Sequence, residues 1–217
     1  MLDKNAALVL FSGGQDSTVC LFWALKNFYR VDTVCFNYGQ RHISEIDAAK
    51  TITTDAGVPF RIVDASMIAG LSRNSLTDST MVMDREQTGN APPNSFVPGR
   101  NLFFISFAAV IARENNIANI VTGVSQTDYS GYPDCRENFI SSINETLNLA
   151  MNEQFVIHTP LMHYDKADVW RLAEELDIFE IVKSQTVTCY NDIPGDGCGE
   201  CPSCILRNRG LQQFYNS

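Results

Sequence analysis

Apolar and polar positions alternate along the chain in blocks that read as successive strands and helices. Residues 6–11 form a short continuous apolar run that ends in Ser12-Gly13-Gly14, the pattern of a buried strand meeting a glycine turn. Residues 17–29 carry Val19, Leu21, Phe22, Trp23 and Leu25, which suits a mostly buried helix. Residues 31–38 predict a second strand. Over 43–56, Ile43, Ile46, Ala49 and Ile52 share one helical face, and Gly57-Val58-Pro59 stops that helix. Residues 60–64 predict a third strand. From 72 to 98 the pattern lapses into Asn, Thr, Asp, Gly and Pro, so a long loop is expected, of the kind used for lids or binding segments. Order returns with a helix over 101–114, a strand over 119–123, a helix over 136–151, a strand over 155–158 and a helix over 166–176. A cysteine-rich segment and a short last helix close the chain.

Strands alternating with helices imply right-handed βαβ units and hence an α/β fold with a doubly wound parallel sheet. The division expected is an α/β domain over 1–180 and a small C-terminal metal-binding region over 181–217.

Composition narrows the function classes. Lys and Arg number 16 and Asp and Glu 25, for a net charge of −9. Residues 1–110 carry a net −1 and residues 111–217 a net −8. An acidic surface repels polyphosphate, so extensive nucleic-acid binding is not expected. No stretch approaches the roughly 18 apolar residues of a membrane span. The first residues lack the pattern of a signal peptide, so a cytoplasmic protein with reduced thiols is expected.

Chemistry concentrates in two places. The first is Phe11-Ser12-Gly13-Gly14-Gln15-Asp16-Ser17-Thr18, where the first strand hands over to a helix. Glycines let the backbone turn tightly and approach a ligand, and the helix N-terminus offers free N–H groups to an anion. The hydroxyls of Ser12 and Ser17 add donors. Asp16 suits either a helix cap or a metal ion beside a bound phosphate. A Walker loop is excluded, because its Lys-Ser/Thr ending is missing and no lysine lies close by in sequence.

The second place holds four of the seven cysteines, Cys189, Cys198, Cys201 and Cys204. The Cys-x2-Cys spacing suits a tetrahedral zinc ion, and four thiolates leave no open position for catalysis, so a structural zinc, one per chain, is expected. An iron–sulfur cluster or a redox pair at Cys201 and Cys204 would use the same residue types. Cys20, Cys35 and Cys135 are scattered, and a buried thiol is the simplest reading of each.

Further candidates lie at strand ends. Arg41 and His42 follow the second strand, where an open α/β sheet forms its ligand crevice. Arg100, after Val97-Pro98-Gly99, opens a helix and could meet an anion. Residues 122–136 mix amides, carboxylates and aromatics, including Asp128, Tyr129, Tyr132, Asp134 and Arg136, a mixture that suits a planar hydrogen-bonding heterocycle. Lys183 is a candidate for neutralising charge on pyrophosphate. The plainer readings are solvated loop polarity for Arg41 and His42, a simple Pro-Gly turn for 97–101, and a solvated surface lysine for Lys183.

The string Ser-Gly-Gly-x-Asp-Ser after a first strand resembles the loop of the PP-loop ATP pyrophosphatases, which split ATP between the α and β phosphates. Taken with residues 37–42, 97–101, 122–136, Thr159-Pro160-Leu161, Thr188-Cys189-Tyr190-Asn191 and the four cysteines, the chain resembles the 7-cyano-7-deazaguanine synthase family over about residues 6–215. The resemblance implies a carbon–nitrogen ligase of queuosine biosynthesis. It would adenylate the carboxylate of 7-carboxy-7-deazaguanine, let ammonia displace AMP, and adenylate the resulting amide to leave a nitrile. It further implies ATP with Mg²⁺ near Asp16, charge neutralisation by Arg41, Arg100 and Lys183, deazaguanine contacts from Asp128, Tyr129, Tyr132, Asp134 and Arg136, and a homodimer. A tRNA-thiolating PP-loop enzyme and a non-enzymatic nucleotide-binding module remain alternatives at this point.

Overall fold

A computed structural model describes residues 1–40, 44–78, 80–81, 93–127 and 132–217. Five strands form one parallel sheet: β1 Asp3–Leu10, β2 Arg30–Asn37, β3 Phe60–Asp64, β4 Ile117–Val121 and β5 Val156–His158. Their order is β3-β2-β1-β4-β5, and every pairing is parallel. The helices are α1 Gln15–Asn27, α2 Ser44–Asp55, α3 Arg100–Glu114, α4 Glu137–Met151, α5 Lys166–Glu175, α6 Phe179–Gln185 and α7 Pro202–Tyr215.

The doubly wound arrangement follows from the apolar run of β1. Its side chains alternate between faces, and both faces are covered. Ala6 and Leu8 join Val34, Phe36 and Ile120 under α3 and α4, with Ile105, Ala108, Ile140 and Leu147. Ala7 and Val9 turn the other way, toward Val19, Leu21, Ile52, Val169 and Trp170 of α1, α2 and α5. Cys20 and Cys35 are buried in these layers, in line with the plain reading of both.

Chain order sets the crevice. From central β1 the chain builds outward to β2 and β3, then crosses to β4 on the opposite side of β1. The loops after β1 and β4 therefore diverge, and ligands of open α/β sheets bind at that switch point. Residues 11–14 and 122–127 begin there.

The predicted elements correspond to the observed ones with shifts of a few residues. The helical segments not anticipated from sequence are, among the described residues, α6 and two short 3-10 turns at Ser66–Gly70 and Pro133–Cys135. α5 ends at Glu175 with Leu176 as its cap, Asp177 turns the chain at φ +59°, and a seven-residue helix follows. That length is too short for a periodic signal. Described residues of the 72–98 loop contain no helix or strand up to Pro98. The loop is pinned where the Ser75 N–H donates to the Asn94 carbonyl at 2.9 Å and the Ser75 hydroxyl meets Asn94 Oδ1 at 3.0 Å. The C-terminal residues pack into the α/β layers: Trp170 Nε1 donates to the Arg207 carbonyl at 3.3 Å, and Gly210 lies against Lys166. No helix is long and apolar enough to cross a membrane among the described residues.

Gly13 is the tightest point of the loop after β1. Its φ is +85°, and a Cβ there would strike the Glu45 carbonyl oxygen and come within 2.8 Å of the Ala49 nitrogen, both on α2. Gly57 also has a positive φ, +66°, but faces open space. Gly57→Ala should therefore cost only the left-handed strain, about 1–2 kcal/mol. Gly13→Ala should cost clearly more, because the clash is with backbone on a packed helix. Urea midpoints of the two variants test this ordering.

Candidate active site and cysteine cluster

The loop after β1 is braced from within and from outside. Ser17 Oγ accepts from the Ser12 N–H at 3.2 Å and lies 3.1 Å from Ser12 Oγ, which in turn accepts from the Gly14 N–H at 3.3 Å. The Thr18 hydroxyl donates to the Gly14 carbonyl at 2.8 Å. Phe11 anchors the approach, its N–H donating to Val34 at 2.8 Å and its ring meeting Phe60 edge-on. On the β4 side, a Cβ at Gly123 would come within 3.1 Å of the Asp16 carbonyl carbon and 3.2 Å of the Ser17 nitrogen. From the C-terminal side, the Val187 N–H donates to the Gly13 carbonyl at 3.1 Å, and Thr188 Oγ1 accepts from the Gln15 N–H at 3.3 Å.

One group in the loop is left over. The Gln15 side chain is 1 % exposed, and neither its amide nitrogen nor its oxygen has a partner among the described residues. An unpaired buried amide costs about 1–3 kcal/mol. A ligand seated on the loop is one way to satisfy it.

Asp16 does have a partner, which sequence spacing does not reveal. Lys166 Nζ lies 2.7 and 2.8 Å from the two Asp16 oxygens. Lys166 is the first residue of α5, nearly buried beneath Gly210 of α7, so its ammonium is fixed at the loop. The expectation that no lysine stands near the loop holds in sequence and is corrected in space: β5 and the turn after it carry Lys166 back to the β1 end. The N-cap of α5 assists, with Asp165 and Asp168 forming a reciprocal capping box.

Arg100 opens α3 and is set among tyrosines. Its guanidinium carbon lies 5.8 Å from the Tyr38 ring centre and 5.9 Å from that of Tyr132, and NH1 donates to the Tyr38 hydroxyl at 3.5 Å. Tyr132 is buried, with its hydroxyl 2.9 Å from Ser95 Oγ. Asp134, also buried, accepts from the Asn101 N–H at 3.0 Å. It thus fixes the start of α3 and, through it, Arg100. Glu45 of α2 belongs to the same region. Burial pushes its carboxyl up to about 7, with Arg100 opposing the shift and Asp192 adding to it.

The other expected site residues are placed as follows. Arg136 precedes α4 and is exposed. Lys183 lies on α6 with its ammonium 5.9 Å from the Phe179 ring centre, held by an aromatic ring rather than by the loop. Arg41, Asp128 and Tyr129 lie outside the described residues. Cys135 receives a contact from Asn101 Nδ2 at 3.3 Å.

The four cysteines converge. The Sγ atoms of Cys189, Cys198, Cys201 and Cys204 all lie within 4.8 Å of one another, with Cys198 and Cys204 4.0 Å apart. A tetrahedral ion with metal–sulfur bonds of about 2.3 Å sets its sulfurs roughly 3.8 Å apart, so the group fits a metal ion. N–H groups of Asn191, Glu200 and Cys201 and the Asn191 side chain point at the sulfurs of Cys189 and Cys198. Gly197, at φ +70°, passes so close that a Cβ would strike Cys204 Sγ.

Residues 6–215 match the profile described as "Queuosine biosynthesis protein QueC". The chain belongs to the QueC family. Curated relatives named 7-cyano-7-deazaguanine synthase include that of Bacteroides fragilis (strain YCH46), 58% identical over 99% of this chain and 98% of its own length. Those of Phocaeicola vulgatus and Clostridium acetobutylicum are 58% and 54% identical, each over 98% of this chain and 96% of their own. Among solved structures, a 4-thiouridine synthetase in complex with RNA and bound ATP is 22% identical with a TM-score of 0.54. The alignment covers 98% of this chain and 51% of that one, so the present chain spans about half its length. A predicted subunit of tRNA methyltransferase from Methanocaldococcus jannaschii is 18% identical with a TM-score of 0.51, over 78% of this chain and 74% of that one. At these identities the two structures speak for the fold alone, which this QueC family member shares.

Two measurements follow from the geometry. The Asp16–Lys166 pair is partly withdrawn from water, so Asp16→Asn and Lys166→Met should each destabilise the fold, and the double mutant by less than the sum of the two. The double mutant should reveal a coupling of about 1 kcal/mol or more in a double-mutant cycle. Stability should also fall as pH rises from about 4.5 to about 7, because the folded state holds the Glu45 proton over that window while the unfolded state has released it. Glu45→Gln should remove that slope in urea titrations at stepped pH.

Proposed function

We propose that this chain is a 7-cyano-7-deazaguanine synthase of queuosine biosynthesis, a ligase that joins ammonia to 7-carboxy-7-deazaguanine at the expense of ATP. The observation that carries the reading is the braced 12–18 loop at the switch point, with its orphaned Gln15 amide and a fixed lysine beside it. The curated relatives over the whole length of the chain bear the same name.

The chemistry asks for two good leaving groups in turn. Carboxylate and amide oxygens leave poorly, and transfer of AMP to each makes both displaceable. The carboxylate attacks the α-phosphate of ATP and expels diphosphate. Ammonia then displaces AMP to give the amide. The amide oxygen attacks the α-phosphate of a second ATP, expelling diphosphate as one N–H proton is lost, and departure of AMP with the remaining N–H proton leaves the nitrile. No side chain needs to become covalently attached. Positioning and charge stabilisation supply the acceleration.

Residues take roles on this reading. Ser12, Gly13, Gly14, Gln15, Ser17 and Thr18 hold the phosphates through hydroxyls and N–H groups, with Phe11 and Gly13 setting the path of the backbone. Lys166 meets the charge of the departing diphosphate. Mg²⁺ carried by ATP would offset further phosphate charge, and Asp16 would hold it if its carboxylate gave up part of its pairing with Lys166. Arg100, between Tyr38 and Tyr132, receives the anionic substrate, with Asp134 holding Arg100 through α3. Arg41, Asp128, Tyr129 and Arg136 complete the proposed substrate and phosphate contacts, and Lys183 serves at longer range. Cys189, Cys198, Cys201 and Cys204 would hold one Zn²⁺ whose closed thiolate shell supplies structure rather than chemistry. The product is a free base, so no nucleic acid is needed at this step. Ammonia comes free or from a partner, and a cytoplasmic homodimer is part of the proposal.

Metal-loaded protein given ATP, ammonia and the carboxylate should yield the nitrile by mass spectrometry together with AMP. If neither forms, the reading fails. Asp16→Asn should slow AMP formation by about 10²-fold or more, the scale on which a lost electrostatic contact reduces turnover. Its metal content should stay at the wild-type level, and a parallel loss of metal would show that the two sites are not separable.

A further inference from the structure

Arg207 is 2 % exposed and lies in the second turn of α7, three residues after Cys204. It has no carboxylate partner among the described residues. Its guanidinium instead donates to Thr186 Oγ1 at 3.0 Å, Thr188 Oγ1 at 3.3 Å, and the carbonyls of Val182 and Lys183 at 2.9 Å each. The Trp170 ring lies 5.3 Å from its guanidinium carbon. A buried cation that spends its donors on neutral acceptors is costly, and it is retained where it fixes a geometry.

The geometry that it fixes is the edge of the phosphate loop. Thr188 Oγ1 accepts from Arg207 and, on its other side, from the Gln15 N–H at 3.3 Å. One residue earlier, the Val187 N–H donates to the Gly13 carbonyl. One residue later comes Cys189. The segment 186–189 is thus gripped by α7 through Arg207 at one edge and laid against Gly13–Gln15 at the other.

We propose that Arg207 is a positioning residue for ATP: through Thr188 it sets the 12–15 backbone, so that the four-cysteine region holds the phosphate loop in its binding geometry and does more than tie down the end of the chain. The inference rests on the reading of residues 12–18 as the ATP site. It assigns Thr188 the part of relay, since its single hydroxyl oxygen is shared by the guanidinium and the loop.

The test measures ATP binding and metal content together on the metal-loaded full chain. Calorimetry with ATP and Mg²⁺ gives Kd, and thermal unfolding gives Tm. Arg207→Met should weaken ATP binding by about tenfold or more, as expected for a charge-assisted contact, with one metal per chain retained. Arg207→Lys keeps the charge without the fork and should recover only part of the affinity. Because Arg207→Met also removes a buried side chain and can unfold the protein, Thr188→Val supplies an independent arm. It keeps the shape, removes the shared acceptor, and should weaken ATP binding with little change in Tm, while Thr188→Ser should restore the wild-type Kd. The effects of Arg207→Lys and Thr188→Val should be non-additive. A Thr188→Val protein with wild-type Kd, or strictly additive effects, would overturn the proposal. Wild-type protein that binds no ATP would overturn the loop reading itself, and this inference with it.

Discussion

A backbone-to-backbone approach at Gly13 organises the molecule. The turn between β1 and α1 is pressed against the Glu45 carbonyl and Ala49 of α2 on one side. Gly123, after β4, crowds Asp16 and Ser17 on another, and residues 187–188 hydrogen-bond it on a third. Three parts of the chain that are far apart in sequence meet a loop of seven residues whose own side chains brace it. Such bracing favours a loop whose geometry is set before a ligand arrives. Preorganisation of this kind moves the cost of ordering from binding to folding, and it explains why glycine stands where the neighbours come nearest.

Charge is handled in the same place. The chain carries a net −9, yet its reaction brings an anionic nucleotide together with an anionic carboxylate on the proposed reading. The basic residues that matter are few and fixed. Lys166 is locked on Asp16, Arg100 is set between two tyrosine rings, and Arg207 is buried behind the loop. In a site shielded from solvent, a fixed cation acts on nearby charge much more strongly than a mobile surface lysine does. A globally acidic surface and a locally cationic site are therefore compatible.

Features written locally were legible in the sequence. The strand–Ser-Gly-Gly–helix handover, the βαβ alternation and the cysteine spacing are each carried by neighbours along the chain, and each was found where expected. Lys166, Arg207 and Glu45 were not legible, because their importance comes from tertiary approach: a gap of 150 residues separates Asp16 from Lys166. The one available signal was that Lys166 follows Thr159-Pro160-Leu161 at the end of β5, the next strand beyond β4 at the switch point. Asp134 carries a part that its place in a polar loop does not reveal: its carboxylate accepts from the Asn101 N–H at the start of α3. Lys183 reads in sequence as a candidate for neutralising charge on pyrophosphate, and its approach to the Phe179 ring depends on α6, a helix too short to show in the apolar pattern.

The most direct test of the account follows oxygen. If both steps proceed by adenylation, substrate labelled with ¹⁸O in both carboxylate oxygens must deliver one label to each of two AMP molecules per nitrile formed, and none to diphosphate. Mass spectrometry of the nucleotide and diphosphate products reads this directly. AMP free of label, or label appearing in water or in diphosphate, would contradict the assignment of this loop to AMP transfer.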